Sequence, residues 1–321
     1  MAPAVQHWTV DEAGEGQRLD NYLLRHLKGV PKTMVYRVIR SGEVRVNKGR
    51  ASADQRLAIG DDVRVPPVRV AARPAGQAPV APARSFPVLY EDDWLMAIDK
   101  PSGVAVHGGS GVSSGVIEQL RQARPQARFL ELVHRLDRET SGVLLIAKKR
   151  SALTHLQDQF RARGPHKTIG KTYGALVAGD WPERLKVIDV PLHKYLTAEG
   201  ERRVRTAHAD DPQAQRAITL VQVARRLPGF TLLDVTIKTG RTHQIRVHLS
   251  QAGHPIAGDD KYGDFALNRR LARGDGLPVR LDRMFLHARR LRFHHPHDGR
   301  EITVEAPWPK ECEDIAAVSA R

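Results

Sequence analysis

His134-Arg135-Leu136-Asp137-Arg138-Glu139-Thr140-Ser141-Gly142 lies between two apolar runs, residues 129–133 and 143–147. Two apolar runs joined by a short polar segment predict a pair of strands with a loop between them. Such a loop can present a side chain rigidly, and Arg135 and Arg138 flank Asp137 closely enough to favour its ionised form. The pattern therefore predicts a nucleophile or base at Asp137. It is equally typical of an ordinary turn, in which an Asp caps N–H groups and Gly142 supplies a positive φ.

The overall charge of the chain is strongly basic. Its 321 residues contain 51 Lys and Arg against 36 Asp and Glu, a formal net charge of +15. The length is sufficient for more than one domain. A basic excess of this size favours a polyanionic partner, because neutralising phosphates releases counterions. Nucleic acid is the leading candidate, and an acidic membrane surface is the alternative.

The sequence contains no apolar run near the ~20 residues that a membrane-spanning helix needs. Residues 1–10 lack the basic and apolar regions of a secretory signal, so we expect a cytoplasmic protein without membrane contact. Cys312 is the only cysteine. An intramolecular disulfide and a cysteine-based zinc cluster are therefore excluded.

The first part of the chain, residues 1–67, predicts a small domain. Leu19, Tyr22, Leu23 and Leu27 have helical spacing, and Pro31 separates them from a second helical pattern at residues 34–39. Alternating residues then predict short strands around Val44 and Val63. Basic side chains are frequent here and could bind phosphates or form only a solvated surface: Arg18, Lys32, Arg37, Arg40, Arg45, Lys48 and Arg50.

Residues 68–86 are rich in Pro and Ala and predict a linker, after which residues 87–321 form a larger domain. After two predicted strands at residues 88–98, this domain has a glycine-rich segment, residues 100–111. The segment lacks the Gly-Lys-Ser/Thr ending of a phosphate-binding P-loop, so a structural or substrate-proximal role is favoured. Tyr173, in a predicted long strand, is either core filler or a platform on which a base could stack.

Three further segments of the larger domain allow more than one interpretation. Arg241 precedes a helical pattern and could pair with a catalytic carboxylate or bind loop carbonyls. Residues 191–209 predict an exposed basic hairpin, facing RNA or merely solvent. His294, His295 and His297 lack the spacing of a helical zinc site, so a strand end turning into the next strand is favoured over a metal centre.

Two resemblances cover nearly the whole chain. Residues 18–20, 42–47 and 60–63 resemble the S4 RNA-binding domain. Further motifs resemble the bacterial family of large-subunit rRNA and tRNA pseudouridine synthases built around a His-Arg-Leu-Asp sequence. These motifs are residues 100–111, 134–142, 171–179, 239–248, 254–263 and 286–288. The second resemblance implies an α+β fold with a mixed, largely antiparallel sheet, and isomerisation of uridine to pseudouridine in RNA.

The family resemblance also implies roles for individual residues. Asp137 matches the catalytic aspartate, either as nucleophile at C1′ or as the base that removes the 2′ proton. Arg241 matches the basic residue that pairs with it, and Tyr173 matches the tyrosine that packs on the base. Arg135 matches the arginine that enters the RNA as the target nucleotide leaves the stack. Two mild departures are Glu139, where relatives often have Asp, and Gly174, where a larger apolar residue is common.

The expected partner is 23S ribosomal RNA or a large-subunit assembly intermediate, bound by a monomer that needs no metal and no cofactor. A competing hypothesis is a noncatalytic RNA-binding or ribosome-assembly protein in which Asp137 is structural. An RNA glycosidase or nuclease is a second rival. It is disfavoured because hydrolysis usually requires a second carboxylate or a metal, and neither is evident in the sequence.

Overall fold

The computed structural model describes residues 4–27, 29–68, 81–108, 114–162, 168–197, 201–208 and 210–317. The predicted linker lies mostly outside these residues. The N-terminal elements are β1 (Gln6–Thr9), α1 (Leu19–His26), α2 (Lys32–Arg40), β2 (Arg45–Val46), β3 (Gly49–Arg50) and β4 (Asp62–Val65). Their strands form an antiparallel sheet in the order β1-β4-β2-β3.

The N-terminal elements have a core of their own, as the helical spacing predicts. Leu19 and Leu23 are fully buried on α1, and Val35 is fully buried on α2. Pro31 precedes the first residue of α2, where its fixed φ suits a helix start. Two predicted helices and two alternating strands are thus present where the sequence indicates them.

The larger part of the chain combines five helices with twelve strands among the described residues. The helices are α3 (Val116–Ala123), α4 (Arg150–Arg161), α5 (Gln244–Gln251), α6 (Phe265–Arg273) and α7 (Lys310–Ala316). The strands are β5 (Val88–Glu91), β6 (Leu95–Lys100), β7 (Glu131–Leu132), β8 (Ser141–Ala147), β9 (Gly170–Ala178), β10 (Val187–Asp189), β11 (Leu192–Leu196), β12 (Arg202–Thr206), β13 (Ile218–Leu227), β14 (Phe230–Ile237), β15 (Leu286–His294) and β16 (Glu301–Glu305).

Ten of these strands form one sheet in the order β10-β13-β14-β9-β15-β8-β6-β5, with β16 beside β15 and β7 beside β8. Pairing is antiparallel except between β15 and β8. The predicted α+β class with a mixed, largely antiparallel sheet is confirmed. β11 and β12 form a separate two-stranded hairpin, as residues 191–209 predict.

The segment around Asp137 connects β7 to β8, which pair with each other. All seven residues of β8 are buried, so the loop is attached to a fully enclosed strand of the sheet. Gly142 has φ +108°, and a Cβ at this position would lie 2.3 Å from the carbonyl oxygen of Ala288. Glycine is required here both for its backbone conformation and for the close approach of β15.

Gly174 makes room for an aromatic side chain. A Cβ on Gly174 would lie 2.0 Å from Cη2 of Trp308, whose ring also packs beside His287 and Phe285. The departure at position 174 therefore accompanies a large ring that occupies the same space.

We expect Gly174→Val to destabilise the protein by about 3 kcal/mol or more, because the branched side chain must displace Trp308 from a packed position. Urea unfolding of the purified variant measures this change. The double variant Gly174→Val with Trp308→Ala should recover part of the loss. Failure of the double variant to exceed Gly174→Val in stability would contradict the steric explanation.

The histidines near the end of β15 have structural partners. His295 is buried and lies 2.8 Å from Oδ2 of Asp92 and 3.0 Å from Oδ1 of Asp298. The ring of His297 stacks on Trp94 with centroids 4.3 Å apart. These contacts agree with the prediction that the histidines lie where a strand ends and turns into the next strand.

In the described part of the chain, no helix is both long enough and apolar enough to span a membrane.

Candidate active site

The loop that contains Asp137 lines a cavity of about 500 Å³ beside β9 and the last residue of β14. This volume is typical of small-ligand sites. Tyr173 from β9 and the residues between β14 and α5 line the same cavity, as do Arg135 and Arg241. Four side chains that the sequence singles out are therefore brought to one cleft.

A buried lysine holds the loop from behind. Lys100 is fully buried, and its side-chain nitrogen donates to the carbonyls of Pro101, Val104 and Arg138 at 2.8, 2.8 and 3.1 Å. The hydroxyl of Ser102 donates to the carbonyl of Glu139 at 2.7 Å. Three carbonyl acceptors match the three donors of an ammonium group, so the segment after β6 serves as a scaffold for the Asp137 loop.

His134 anchors the other end of the loop. Its ring stacks on Phe160 of α4, with centroids 4.7 Å apart, and Nε2 accepts the backbone N–H of Leu145 at 3.1 Å. Burial lowers the pKa of His134 to about 3, with a smaller contribution from the charge of Lys171. The ring is therefore neutral at pH 7, which the acceptor role of Nε2 requires.

Arg246 is the arginine that faces Asp137. Its side chain is 2% exposed, and Nη1 lies 3.9 Å from Oδ2 of Asp137. Nε and Nη2 bind both carboxylate oxygens of Asp259 at 2.7 and 2.6 Å, and Nη2 also contacts Asp260 at 3.0 Å. Burial opposes the charge of Arg246, but the acidic neighbours, Asp259 foremost, outweigh it and raise the pKa of the guanidinium. A bidentate pair fixes the plane of the guanidinium and aims its remaining nitrogen at Asp137.

The predicted ion pair between Arg241 and Asp137 is not formed. Helix α5 begins at Gln244, so Arg241 lies in the preceding turn, where its Nε donates to the carbonyl of Arg216 at 3.2 Å. Gln244 stabilises this turn by accepting the backbone N–H of Arg241 at 3.1 Å. Arg246 and His243 instead lie within 4.0 Å of Asp137, and the sequence analysis missed both.

Tyr173 is buried at 9% exposure in the middle of β9, opposite Val235 of β14. Burial is the main cause that raises the pKa of its phenol, and the charge of Asp137 acts in the same direction. The phenol is therefore firmly neutral. Its flat ring forms part of the cavity wall beside Asp137.

A second buried network lies directly behind the loop. Arg283 donates to Oγ of Ser141 at 2.5 Å, and the same hydroxyl lies 2.8 Å from Nδ1 of His287. Arg283 also pairs with Glu311 of α7 at 3.2 Å. Burial lowers the pKa of His287 to about 4, so the ring is neutral and accepts the Ser141 hydroxyl hydrogen at Nδ1. These contacts fix the start of β8, the strand that follows the Asp137 loop.

The predicted RNA-binding side chains occupy exposed positions. Arg135 lies on the rim of the cavity. Six basic residues of the N-terminal unit are exposed on or after α2: Lys32, Arg37, Arg40, Arg45, Lys48 and Arg50. Arg18 differs, because Nη2 pairs with the buried Asp20 at 2.8 Å, and Asp20 also accepts the hydroxyl of Tyr36 at 3.0 Å. This network connects α1 to α2.

Neutral histidines give the fold a defined response to acid. Burial lowers the pKa of His134, His248 and His287, whereas each ring has a pKa near 6.5 when unfolded. The unfolded chain therefore takes up protons that the folded chain does not. The stability that these rings contribute is complete above about pH 6.5. It is lost as the pH falls towards the pKa values that the rings have in the folded protein.

We expect the free energy of unfolding to fall between pH 6.5 and 4.5, by up to about 1.4 kcal/mol per pH unit for each of these rings. Urea titrations at several pH values in this interval measure the slope. His155 is exposed on α4, so His155→Asn should leave the slope unchanged. Equal stability at pH 6.5 and 4.5 would contradict the prediction.

The fold and the candidate active site together indicate the class of protein. An aspartate that faces a buried arginine in a cleft, on a chain of net charge +15, is typical of an enzyme that acts on a polyanion such as RNA. Among the described residues, no three His, Cys, Asp or Glu side chains are grouped so as to hold a metal ion.

The comparisons with known proteins show the family. Residues 94–251 match the model for RNA pseudouridylate synthase, and residues 17–63 match the S4 domain. The chain is 52% identical to ribosomal large subunit pseudouridine synthase C of Yersinia pestis, covering 95% of this chain and 92% of that protein. It is also 52% identical to the protein of the same name from Escherichia coli K12, covering 93% and 91%.

The solved structure of human RNA pseudouridylate synthase domain containing 4 is similar at a TM-score of 0.57 and 26% identity, covering 71% of this chain and 90% of that one. The chain belongs to the RNA pseudouridylate synthase family, with an S4 domain before the catalytic part. It is therefore an RNA pseudouridine synthase, as the resemblance implies.

Proposed function

We propose that this enzyme isomerises specific uridines of large-subunit (23S) ribosomal RNA to pseudouridine. The observation that carries the proposal is the placement of Asp137, Arg246 and Tyr173 around one cavity. The substrate is supported by the names of the relatives in Yersinia pestis and Escherichia coli, together with the S4 match and the net charge of +15. We further propose that the enzyme works as a monomer in the cytoplasm.

The reaction conserves all atoms of the nucleotide. The bond from C1′ to N1 breaks, the uracil turns within the site, and a bond from C1′ to C5 forms. The proton at C5 is then lost, and N1 gains one. Asp137 either attacks C1′ and is later displaced, or removes the 2′ proton to give a glycal that is protonated again at the end. Both routes use the carboxylate of Asp137, which the guanidinium of Arg246 faces at 3.9 Å.

Tyr173 is proposed to pack on the uracil ring. Because its raised pKa keeps the phenol protonated, the side chain favours packing and hydrogen-bond donation over unaided removal of the C5 proton. Arg135, on the cavity rim, is proposed to enter the RNA where the target nucleotide leaves the stack. Extruding a base costs a few kcal/mol, which an inserted side chain offsets.

RNA outside the cavity is proposed to follow the basic surfaces. Six exposed residues of the S4 domain are suited to phosphates, which would position the RNA rather than specify its sequence. A broader cavity of about 930 Å³ adjoins the catalytic one and shares residues 237–239 and Arg241 with it. Arg241 lies where the two cavities meet, so we propose that it holds a phosphate of the bound RNA.

Arg241→Gln should weaken RNA binding and reduce the slope of log K against log salt by about 1, while the rate at saturating RNA stays within about 3-fold. Filter binding at several salt concentrations and a single-turnover assay measure the two quantities. Arg241→Lys retains the charge and should retain the slope. A large loss of rate with unchanged affinity would instead restore Arg241 to a catalytic role.

The proposed function is tested by mapping pseudouridines in large-subunit RNA. The RNA comes from cells with the gene, cells without it, and cells in which a plasmid restores it. Sites that vanish without the gene and return with the plasmid would identify the targets. Mapping free RNA and isolated assembly intermediates would show which of the two is modified. An unchanged map would exclude large-subunit RNA and direct attention to tRNA or to a noncatalytic RNA-binding role.

A further inference from the structure

His243 has an unusual backbone conformation at the edge of the catalytic cavity. Its φ of 51° and ψ of 20° place it in the left-handed region, immediately before the first residue of α5. Asn47 and Lys48 are the other non-glycine residues with positive φ among those described, and both lie in the turn between β2 and β3. A histidine in this region costs about 1 kcal/mol relative to ordinary backbone, so the surrounding structure must enforce it.

This backbone conformation places the imidazole between Tyr262 and Asp137. The ring is 13% exposed, with Nδ1 2.8 Å from the hydroxyl of Tyr262 and Nε2 4.0 Å from Oδ2 of Asp137. The Tyr262 ring packs edge-on against His243 with centroids 5.5 Å apart. Both nitrogens of His243 therefore face defined groups.

The hydrogen bonds assign the tautomer of His243. The hydroxyl oxygen of Tyr262 accepts the backbone N–H of Val204 at 3.0 Å. The single hydrogen of that hydroxyl is then available for Nδ1 of His243, which acts as acceptor. Burial is the main cause that lowers the pKa of His243. A neutral ring whose Nδ1 accepts has its proton on Nε2, the nitrogen that faces Asp137.

The charged groups around His243 are consistent with this neutral form. Arg246 and Lys261 disfavour a second proton on the ring, while Asp137 and Asp259 favour it, and burial is the largest of these influences on the pKa. The ring thus offers a fixed N–H dipole.

The positions of His243 and Arg246 distinguish the two oxygens of Asp137. Each side chain approaches Asp137 most closely at Oδ2, at 4.0 and 3.9 Å. Two donors on the side of one oxygen favour a single orientation of the carboxylate. A group held in one orientation before the substrate binds loses less freedom when it reacts.

We propose that His243 is a positioning residue, whose Nε2–H orients Asp137 so that Oδ1 meets the ribose of the target uridine. The inference rests on the proposed function and extends it. The inference also gives Tyr262 a role, because the hydroxyl of Tyr262 selects the tautomer of His243. Since Val204 belongs to β12, the hairpin of β11 and β12 becomes part of the support of the active site.

The packing of the hairpin agrees with this role. Val204 and Leu192 are buried against Val247 of α5 and against Tyr262. Glu201, just before the second hairpin strand, pairs with Lys261, next to Tyr262. The hairpin is therefore fixed to the helix that supplies Arg246 and to the loop that supplies Tyr262.

Three substitutions separate this proposal from a purely structural role. His243→Asn tolerates the left-handed backbone and retains an acceptor near the position of Nδ1, but removes the group that faces Asp137. His243→Gln places an amide N–H near the position of Nε2. Tyr262→Phe removes the hydroxyl that selects the tautomer and leaves the side chain of His243 intact.

The assay follows tritium release from a large-subunit RNA transcript labelled at C5 of uridine, under single-turnover conditions across pH 5 to 9. We expect His243→Asn to lower the rate about 30-fold, with RNA affinity within 2-fold of wild type. His243→Gln should recover most of the rate, and Tyr262→Phe should lose about 5- to 10-fold.

The results of this assay distinguish a positioning role for His243 from a purely structural one. A wild-type rate for His243→Asn, or an equal loss of rate in the Gln and Asn variants, would overturn the proposal. If His243→Asn does not fold, Tyr262→Phe tests the proposal instead. A wild-type rate in Tyr262→Phe would overturn the proposal. His155→Asn should match wild type throughout. A wild-type enzyme that releases no tritium would mean that the proposed function itself has failed.

Discussion

Asp137→Asn is expected to bind large-subunit RNA with wild-type affinity and to release no measurable tritium from C5-labelled uridine. An amide has nearly the same size as the carboxylate but can neither attack C1′ nor remove the 2′ proton, so we expect a rate loss of about 10⁴-fold or more. Affinity should change little, because the phosphates that we propose to be bound contact exposed basic side chains rather than this carboxyl. A filter-binding assay and a single-turnover assay on the same transcript separate the two quantities.

Glu139→Gln is the matched control for Asp137→Asn. Glu139 lies on the same loop, its side chain pairs with Arg138 at 3.3 Å, and its carbonyl accepts from Ser102. Glu139→Gln removes one negative charge two residues from Asp137 but leaves the carbonyl contact. Its rate should remain within about 3-fold of wild type. An Asp137→Asn variant that still forms pseudouridine would exclude both catalytic roles and support the interpretation of Asp137 as a structural turn residue.

The parts of the site that are determined locally could be predicted from the sequence. The loop between two strands follows from an alternation of apolar and polar runs, and Gly142 has the positive φ that a turn there indicates. Tyr173 lies on the predicted long strand and in the same cavity as Asp137. These features depend on neighbouring residues along the chain, which a sequence displays directly.

The arginine that faces Asp137 could not be assigned in this way. Helical periodicity usually places charged residues on the solvated face, so it gives no reason to single out Arg246, between Ile245 and Val247, as a buried side chain. It is buried because Asp259, thirteen residues later, neutralises it. The signal in the sequence is the pair Asp259-Asp260 in a turn-rich loop, and nothing local connects that pair to α5.

The role of His243 and the packing of the hairpin on α5 were missed for related reasons. A left-handed histidine before a helix has no signature of its own, because Asn and Gly are the usual residues in that conformation. The hairpin at residues 191–209 is expected to be an exposed element, and the end of β11 with Tyr195 and Leu196 is indeed exposed. Val204 of the hairpin nevertheless packs with Val247 of α5, a contact between residues more than forty positions apart that no periodicity indicates.

Arg246→Met should show the second large effect, because it removes the partner of a buried carboxylate. Asp259 is fully buried and would keep the backbone N–H groups of Lys261 and Tyr262 as donors. Leaving one member of a buried ion pair alone costs about 3–5 kcal/mol, measured as the free energy of unfolding in urea. The rate of pseudouridine formation should fall about 10³-fold, since Asp137 also loses the positive charge that faces it.

The double variant Arg246→Met with Asp259→Asn separates stability from catalysis. The amide introduced at position 259 retains an oxygen for the two backbone N–H groups and removes the uncompensated charge, so the double variant should regain at least half of the lost stability. It should remain as slow as Arg246→Met, because the charge that faces Asp137 is still absent. Recovery of the rate together with stability would mean that Arg246 only supports the fold. Persistent slowness in a stable protein would establish that this arginine acts on Asp137 itself.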